Sequence, residues 1–431
     1  MVGRFLAACL ILTFLFTGGA YSEAAGITHY EKFITPVYWQ SQNSAGDEVV
    51  MNEQQIASFN QAIIRSSSSV YNLLSYPAVV SGKTVVANLN EHMDLTNDLY
   101  RNGTLISDNY KNILLKELNV AAVPEQIHVR YGVTVGRANL RNLPTGEGLF
   151  TSSNDQKFDV LQETALDPGE AVVILHKSAN GYFYYVQSYN YRGWLTRLEI
   201  AETDRITWLR YVNPKNFLTV LDNSYQLVAG GKRLFFQQGA RLQFSAKTAK
   251  DYIVLAPMRT LDGQLQEMKV NVVNTKSLHE GYLPYTTNNL LASAFKFYGD
   301  VYGWGGLNQS VDCSSFVNNV YRTVGVFLPR NADEQEYSAG RKVSFEGLSS
   351  EQRNAVIKGL TPGSTLHMDG HVMLYIGSVN GVLYGIHSLG SHYTGGSRQV
   401  VMRVVVSDLE LQKANGMTFL DALTTTVTFR E

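Results

Sequence analysis

The chain has 431 residues, room for about three domains of ordinary size. Its 36 basic and 37 acidic residues leave a formal charge of -1, which excludes capture of nucleic acid by a generally basic surface. Apolar residues make up 45%, too many for a mostly disordered chain.

The first element is a targeting segment. Arg4 gives a positive start, Phe5 to Phe16 is an apolar run of 12 residues, and Thr17-Gly-Gly-Ala20 supplies small residues. That run is short for a membrane span, so residues 1–25 read as a signal peptide cleaved after Ala20 or Ala25. The expected location is the periplasm, the cell envelope or the medium, with no span left in the mature chain. Of the two cysteines, Cys9 and Cys313, only Cys313 would survive processing. No internal disulfide can then form, and a lone exported thiol calls for a reason.

Residues 26–125 read as a mainly helical domain. Ile56, Phe59, Ile63 and Ile64 follow a helical stripe, and a serine run from Ser66 to Ser69 interrupts it. No cluster of catalytic groups occurs there, so packing and positioning is its expected role.

From His128 the pattern becomes one of short β-rich runs broken by glycine, asparagine and proline. Two small all-β barrels are expected, at 126–205 and 206–284. The last domain, 285–431, reads as α+β. A helix over 288–297 and another carrying Phe316, Val320 and Val324 precede strands at 371–376, 382–387 and 400–406.

The chemistry gathers in this last domain. Asp312-Cys313-Ser314-Ser315 sits directly before the apolar helix, which places Cys313 in a first turn where unpaired N–H groups favour a thiolate. Alternation puts His371, Met373 and Tyr375 on one strand face and Val372, Leu374 and Ile376 on the other. His371, at the strand mouth and facing the cysteine helix, is placed to take a proton from the thiol. His387, ending the next strand, is placed to hold the second ring nitrogen if Asn380-Gly381 closes a hairpin. His367 and His371 are four apart, but Gly370 and the strand pattern rule out a helical metal pair, and no metal site is expected.

The ordered series Tyr302-Gly-Trp-Gly-Gly306, Asp312-Cys-Ser-Ser-Phe316, Leu328-Pro-Arg330 with Gln335, Leu360-Thr-Pro-Gly363, Gly370-His371-Val372 with Tyr375-Ile-Gly377, and Ile386-His387 resembles the NlpC-type family of cell-wall cysteine peptidases. The wider layout resembles the subgroup with an N-terminal stabilising domain and two SH3-like barrels. Arg137 to Pro144, Asp159-Val-Leu-Gln162 and Gly281 to Thr286 also fit it. The resemblance implies a papain-like C-terminal domain with Cys313 as nucleophile, His371 as base and His387 as the orienting residue. It further implies Tyr302, Asp312 and Ser314 as the oxyanion and substrate set, and no cofactor. The implied substrates are peptidoglycan stem peptides or muropeptides. The implied reaction is cleavage between γ-D-glutamate and a diamino acid, commonly meso-diaminopimelate, with a preference for fragments bearing a free N-terminal L-alanine. A monomer is expected. Two further readings stay open at this stage: a wall-binding protein with an inactive peptidase domain, and another amidase or acyltransferase using the same triad. Ser315 and Ser364 depart from the family's usual glycine and aspartate without removing a reacting group.

Overall fold

The computed structural model describes residues 26–431; the signal peptide expected over 1–25, with Cys9, lies outside the described residues. Among the described residues no helix is long and apolar enough to cross a membrane.

Four helices form in the N-terminal segment, Pro36–Ser41, Glu53–Ser66, Gly82–Asn90 and Asp108–Glu117. The second begins with a reciprocal cap: Asn52 accepts from the Gln55 N–H, and the Gln55 side chain accepts from the Asn52 N–H. Its stripe buries Phe59 and Ile63 in one core with Tyr285, Leu290 and Val324 of the C-terminal domain. Beyond the serine run the allegiance changes. Leu73, Val85, Leu89, Leu99 and Leu114 share a core with Val133, Val173 and Trp194 of the following β-body. The segment expected to stand as one helical domain over 26–125 therefore straddles two cores. The physical reason is size, since short helices burying only a few apolar residues each cannot enclose a core of their own.

The first β-body is a seven-stranded antiparallel sheet. Its spatial order is Ile200–Thr203, Arg130–Thr134, Ala171–Lys177, Phe183–Gln187, Arg192–Thr196, Ala138–Arg141 and Gln162–Leu166. After a short helix, Arg205–Val212, a five-stranded sheet and the hairpin Ser224–Ala229/Lys232–Gln237 enclose Leu218, Phe236, Leu242 and Val254.

In the C-terminal domain the helix Cys313–Arg322 lies against a six-stranded antiparallel sheet. The sheet runs Arg341–Ser344, Leu423–Thr428, Thr365–Met368, His371–Val379, Val382–Thr394, Ser397–Asp408. Phe316, Val317 and Val320 of the helix pack with Val372, Leu374 and Ile376. Met373 and Tyr375 face the other way, against Phe345, Phe419 and Leu423. The central strand is thus buried on both faces, each fully buried aliphatic side chain contributing about 1.5–3 kcal/mol. The last two strands extend past the expected 382–387 and 400–406, because polar tip residues continue the ladder through Ser391–Val400 and Tyr393–Arg398. Apolar alternation marks only the part of a hairpin that covers a core.

Candidate active site

Cys313 is the first residue of its helix, and Asp312 caps it. The Asp312 carboxylate accepts from the Ser315 N–H at 2.9 Å and from the Gly305 N–H at 3.0 Å. The same carboxylate is buried in an ion pair with Arg330, at 2.6 Å, whose guanidinium also donates to the Ser314 hydroxyl at 2.8 Å. Burial works to raise the Asp312 carboxyl, but the Arg330 cation and the Ser315 donors hold it below the usual carboxylate range. Ser314 is fixed from its main chain too, its carbonyl accepting from the Gln335 side chain at 3.1 Å.

Cys313 itself is half-buried and free of any disulfide. Burial pushes its thiol up to about 12, with Asp312 adding to the rise, while the Val372 and Ser314 N–H groups and Arg330 pull the other way. Beside it, burial, joined by Cys313 and Asp312, holds the Tyr302 hydroxyl well above its ordinary range, so it stays protonated.

His371 opens the third strand after that helix. Its Nε2 lies 2.7 Å from Nδ1 of His387, whose own Nε2 lies 3.0 Å from the Ser407 hydroxyl. His387 and Ser407 are wholly buried, and the Phe419 ring packs against both imidazoles. Burial, with Lys413 second, pushes His371 down to about 4, and burial next to His371 pushes His387 well below its ordinary value. Both rings are therefore neutral near pH 7. The strand register corrects one expectation. Val372, not His371, takes the helix-facing position, and His371 lies on the side of Met373 and Phe419. The Val372 N–H acts on the Cys313 sulfur and favours its thiolate. Catalytic contacts of unliganded sites commonly tighten only with substrate.

The first β-body forms one wall of the same site. Gly305 and Gly306 take left-handed backbone angles, and a Cβ at either would stand 2.6 Å from Gln162 or 2.8 Å from Ala165. That close approach lets Gln162 donate to the Gly305 carbonyl at 2.8 Å, and Trp304 donate to the Asp159 carbonyl at 3.0 Å. Phe158 meets Trp304 edge-on and Tyr302 at a tilt, with ring centroids 5.5 and 6.0 Å away. At the far end of the cysteine helix, Arg322 pairs with Asp167 and Glu170 of the same β-body, at 3.2 and 2.6 Å. Both ends of the helix are thus tied to it.

The structure brings together Cys313, Tyr302, Asp312 and Ser314, and separately joins His371 to His387 on the adjoining strands. His367 sits on a strand, bonded to Thr365 at 2.8 Å. Among the described residues no group of three or more metal-ligating side chains occurs. Sequence reasoning gave no role to Ser407, Lys413, Phe158 or the Arg330 guanidinium. Arg330 had a signal, because a carboxylate at a buried cap needs a cation; the other three carry no local signature.

Residues 299–400 match the NlpC/P60 family, and residues 148–196 match an SH3 domain of the SH3b1 type. Over 107 residues the chain is 31% identical to the bifunctional muramidase/DL-endopeptidase CwlT of Bacillus subtilis (strain 168), a stretch covering 24% of this chain and 30% of that protein. The chain thus spans under a third of the length of this curated relative. An NlpC/P60 endopeptidase from Photobacterium damselae subsp. piscicida shares the fold, with a TM-score of 0.72 at 17% identity over 90% of this chain and 95% of that one. A second NlpC/P60 family protein, from Bacillus cereus ATCC 10987, aligns with a TM-score of 0.48 at 17% identity, over 70% of this chain and 100% of its own.

Proposed function

We propose that this chain, which carries an NlpC/P60-family domain behind an SH3 domain of the SH3b1 type, is an exported cysteine endopeptidase of peptidoglycan stem peptides. Its bond is the amide between γ-D-glutamate and a diamino acid. The observation that carries the reading is the 2.7 Å contact of His371 with a buried His387, on the strand whose Val372 N–H favours the Cys313 thiolate.

Near pH 7 the resting pair is a thiol and a neutral imidazole. As the substrate carbonyl arrives, the Cys313 sulfur bonds to its carbon and the thiol proton passes to His371. The carbonyl π pair moves to oxygen, where the Cys313 N–H, unpartnered within its helix, and the Tyr302 hydroxyl can meet it. The C–N bond then breaks, and the leaving amine takes the proton from His371. Water adds to the thioester with His371 as base, the carboxylic acid leaves, and the thiol is restored. His387 holds the His371 ring through its Nε2 while the proton is taken and given.

Mass spectrometry of products from a defined panel of muropeptides tests the proposal. The wild-type chain should release diamino-acid-terminated fragments, and Cys313→Ala should release none while keeping the native circular-dichroism spectrum. Turnover by C313A, or no cleavage of any panel member by the wild type, would sink it.

A further inference from the structure

We infer that Ser407 is a positioning residue that fixes the tautomers of both histidines, an inference resting on the reading of His371 as the base. The steps follow from proton counting. A hydroxyl has one hydrogen to give. Ser407 donates it to the Asp408 carbonyl at 2.8 Å, so in its 3.0 Å contact with His387 Nε2 the serine oxygen must accept. His387 therefore carries its hydrogen on Nε2. A neutral imidazole has a single N–H, which leaves Nδ1 of His387 as a bare lone pair. That lone pair lies 2.7 Å from Nε2 of His371, so His371 must also carry its hydrogen on Nε2. What remains is Nδ1 of His371, unprotonated and turned away from the chain of donors, ready to take the Cys313 proton. When it does, His371 becomes an imidazolium and its second N–H continues to bond to His387, so no proton need leave the relay.

The arrangement is well supported around Ser407. The side chain is wholly buried, out of reach of bulk water. On either side its main chain is clamped by the segment at Gly26 to Thr28: Thr28 N–H donates to the Val406 carbonyl at 3.0 Å, and Asp408 N–H donates to the Gly26 carbonyl at 3.1 Å. Removing the hydroxyl strands a buried N–H on His387. The relay can then escape by inversion. His387 would carry hydrogen on Nδ1, His371 would accept it at Nε2, and the His371 hydrogen would move to Nδ1, where it blocks the thiol.

The test uses the full mature chain labelled with 15N-histidine, with tautomers read from two-bond 1H–15N spectra near neutral pH. In the wild type both rings should carry hydrogen on Nε2. Ser407→Ala should shift both toward Nδ1–H and lower kcat by at least about tenfold with little change in KM, as a wrong tautomer does in related triads. Ser407→Thr, which returns the hydroxyl, should restore both signals and rate. Nδ1–H on His371 in the wild type would overturn the inference without any variant, as would unchanged tautomers in S407A. Inverted tautomers with full kcat would instead overturn the reading of His371 as the base.

Discussion

Thr164, on a strand of the first β-body, accepts a hydrogen bond from Nε of Arg330 at 2.8 Å, while the same guanidinium holds the Asp312 carboxylate at 2.6 Å. A threonine from one body thereby helps to set the cap of the helix that carries Cys313 in another. Thr164→Val keeps the shape but leaves a buried N–H without an acceptor, a change expected to cost about 1–3 kcal/mol. Thr164→Ser should be close to neutral. Arg330→Met strands the Asp312 charge and should cost more, about 3–5 kcal/mol. Denaturant unfolding of the three variants checks the order, and equal midpoints for T164V and wild type would contradict it.

Acid should abolish the proposed cleavage only at low pH. His371 is depressed from its ordinary value to about 4, by burial first and Lys413 second, so its neutral form persists down to that pH and is lost below it. The acid limb of kcat/KM is therefore expected near pH 4. Lys413→Met removes a cation that disfavours protonation, so the limb should move to higher pH. A limb that stays put or moves down would show that Lys413 does not act on His371. The same sign governs folding: stability supplied by the depressed histidines is present above their unfolded value and declines as pH falls through the folded one.

The wall formed by the first β-body predicts selectivity. Phe158 of that body packs against Tyr302 and Trp304 beside Cys313, and we expect it to limit what the acyl side of a substrate can carry. L-Ala-γ-D-Glu-diaminopimelate peptides with a free amine should be cut faster than acetylated ones or ones joined to muramic acid. Phe158→Ala should reduce the ratio of the two kcat/KM values. Equal rates for free and blocked peptides in the wild type would assign the barrels to wall binding instead.

The proposed processing would have a structural counterpart at the other end of the chain. The Gly26 N–H donates to the Asp408 carboxylate at 2.7 Å. Cleavage after Ala25, one of the two sites the sequence offers, would turn that N–H into an α-ammonium beside a carboxylate, one residue from Ser407. N-terminal sequencing of the exported form should read Gly26. Asp408→Asn should lower the melting temperature of a chain beginning at Gly26 more than that of a chain beginning at Tyr21. Equal losses would mean that the new charge contributes nothing.

Much of the site was legible because its signals are local. The cap at Asp312 and the apolar face of Phe316 and Val320 fixed Cys313 at a helix start, as capping chemistry and periodicity act within a few residues. Alternation over Val372 to Ile376 also held, each set of side chains finding its own core. It misplaced His371 relative to the helix because a strand's first residue follows the strand's register, not the needs of a partner. Ser407, Thr164 and Phe158 were illegible for a different reason. Each acts across a gap of 20 residues or far more, and a lone serine, threonine or phenylalanine in a strand announces nothing about its partner. The division of residues 26–125 between two cores was hidden likewise, since an amphipathic stripe says that a helix is covered and not by what.

That division also bears on how the chain is made. The helix Glu53–Ser66 is synthesised well before Tyr285, Leu290 and Val324, the residues that close over Phe59 and Ile63. At ordinary elongation rates the interval is roughly ten to forty seconds. Throughout it, the stripe has nowhere to go, and the strand that will receive Gly26 to Thr28 does not yet exist. Contacts of such separation form late and slowly, with the loop-closure cost met before any core rewards it. The N-terminal segment is thus first to emerge and among the last to settle, and Cys313 acquires its finished surroundings only when the two ends of the chain have met.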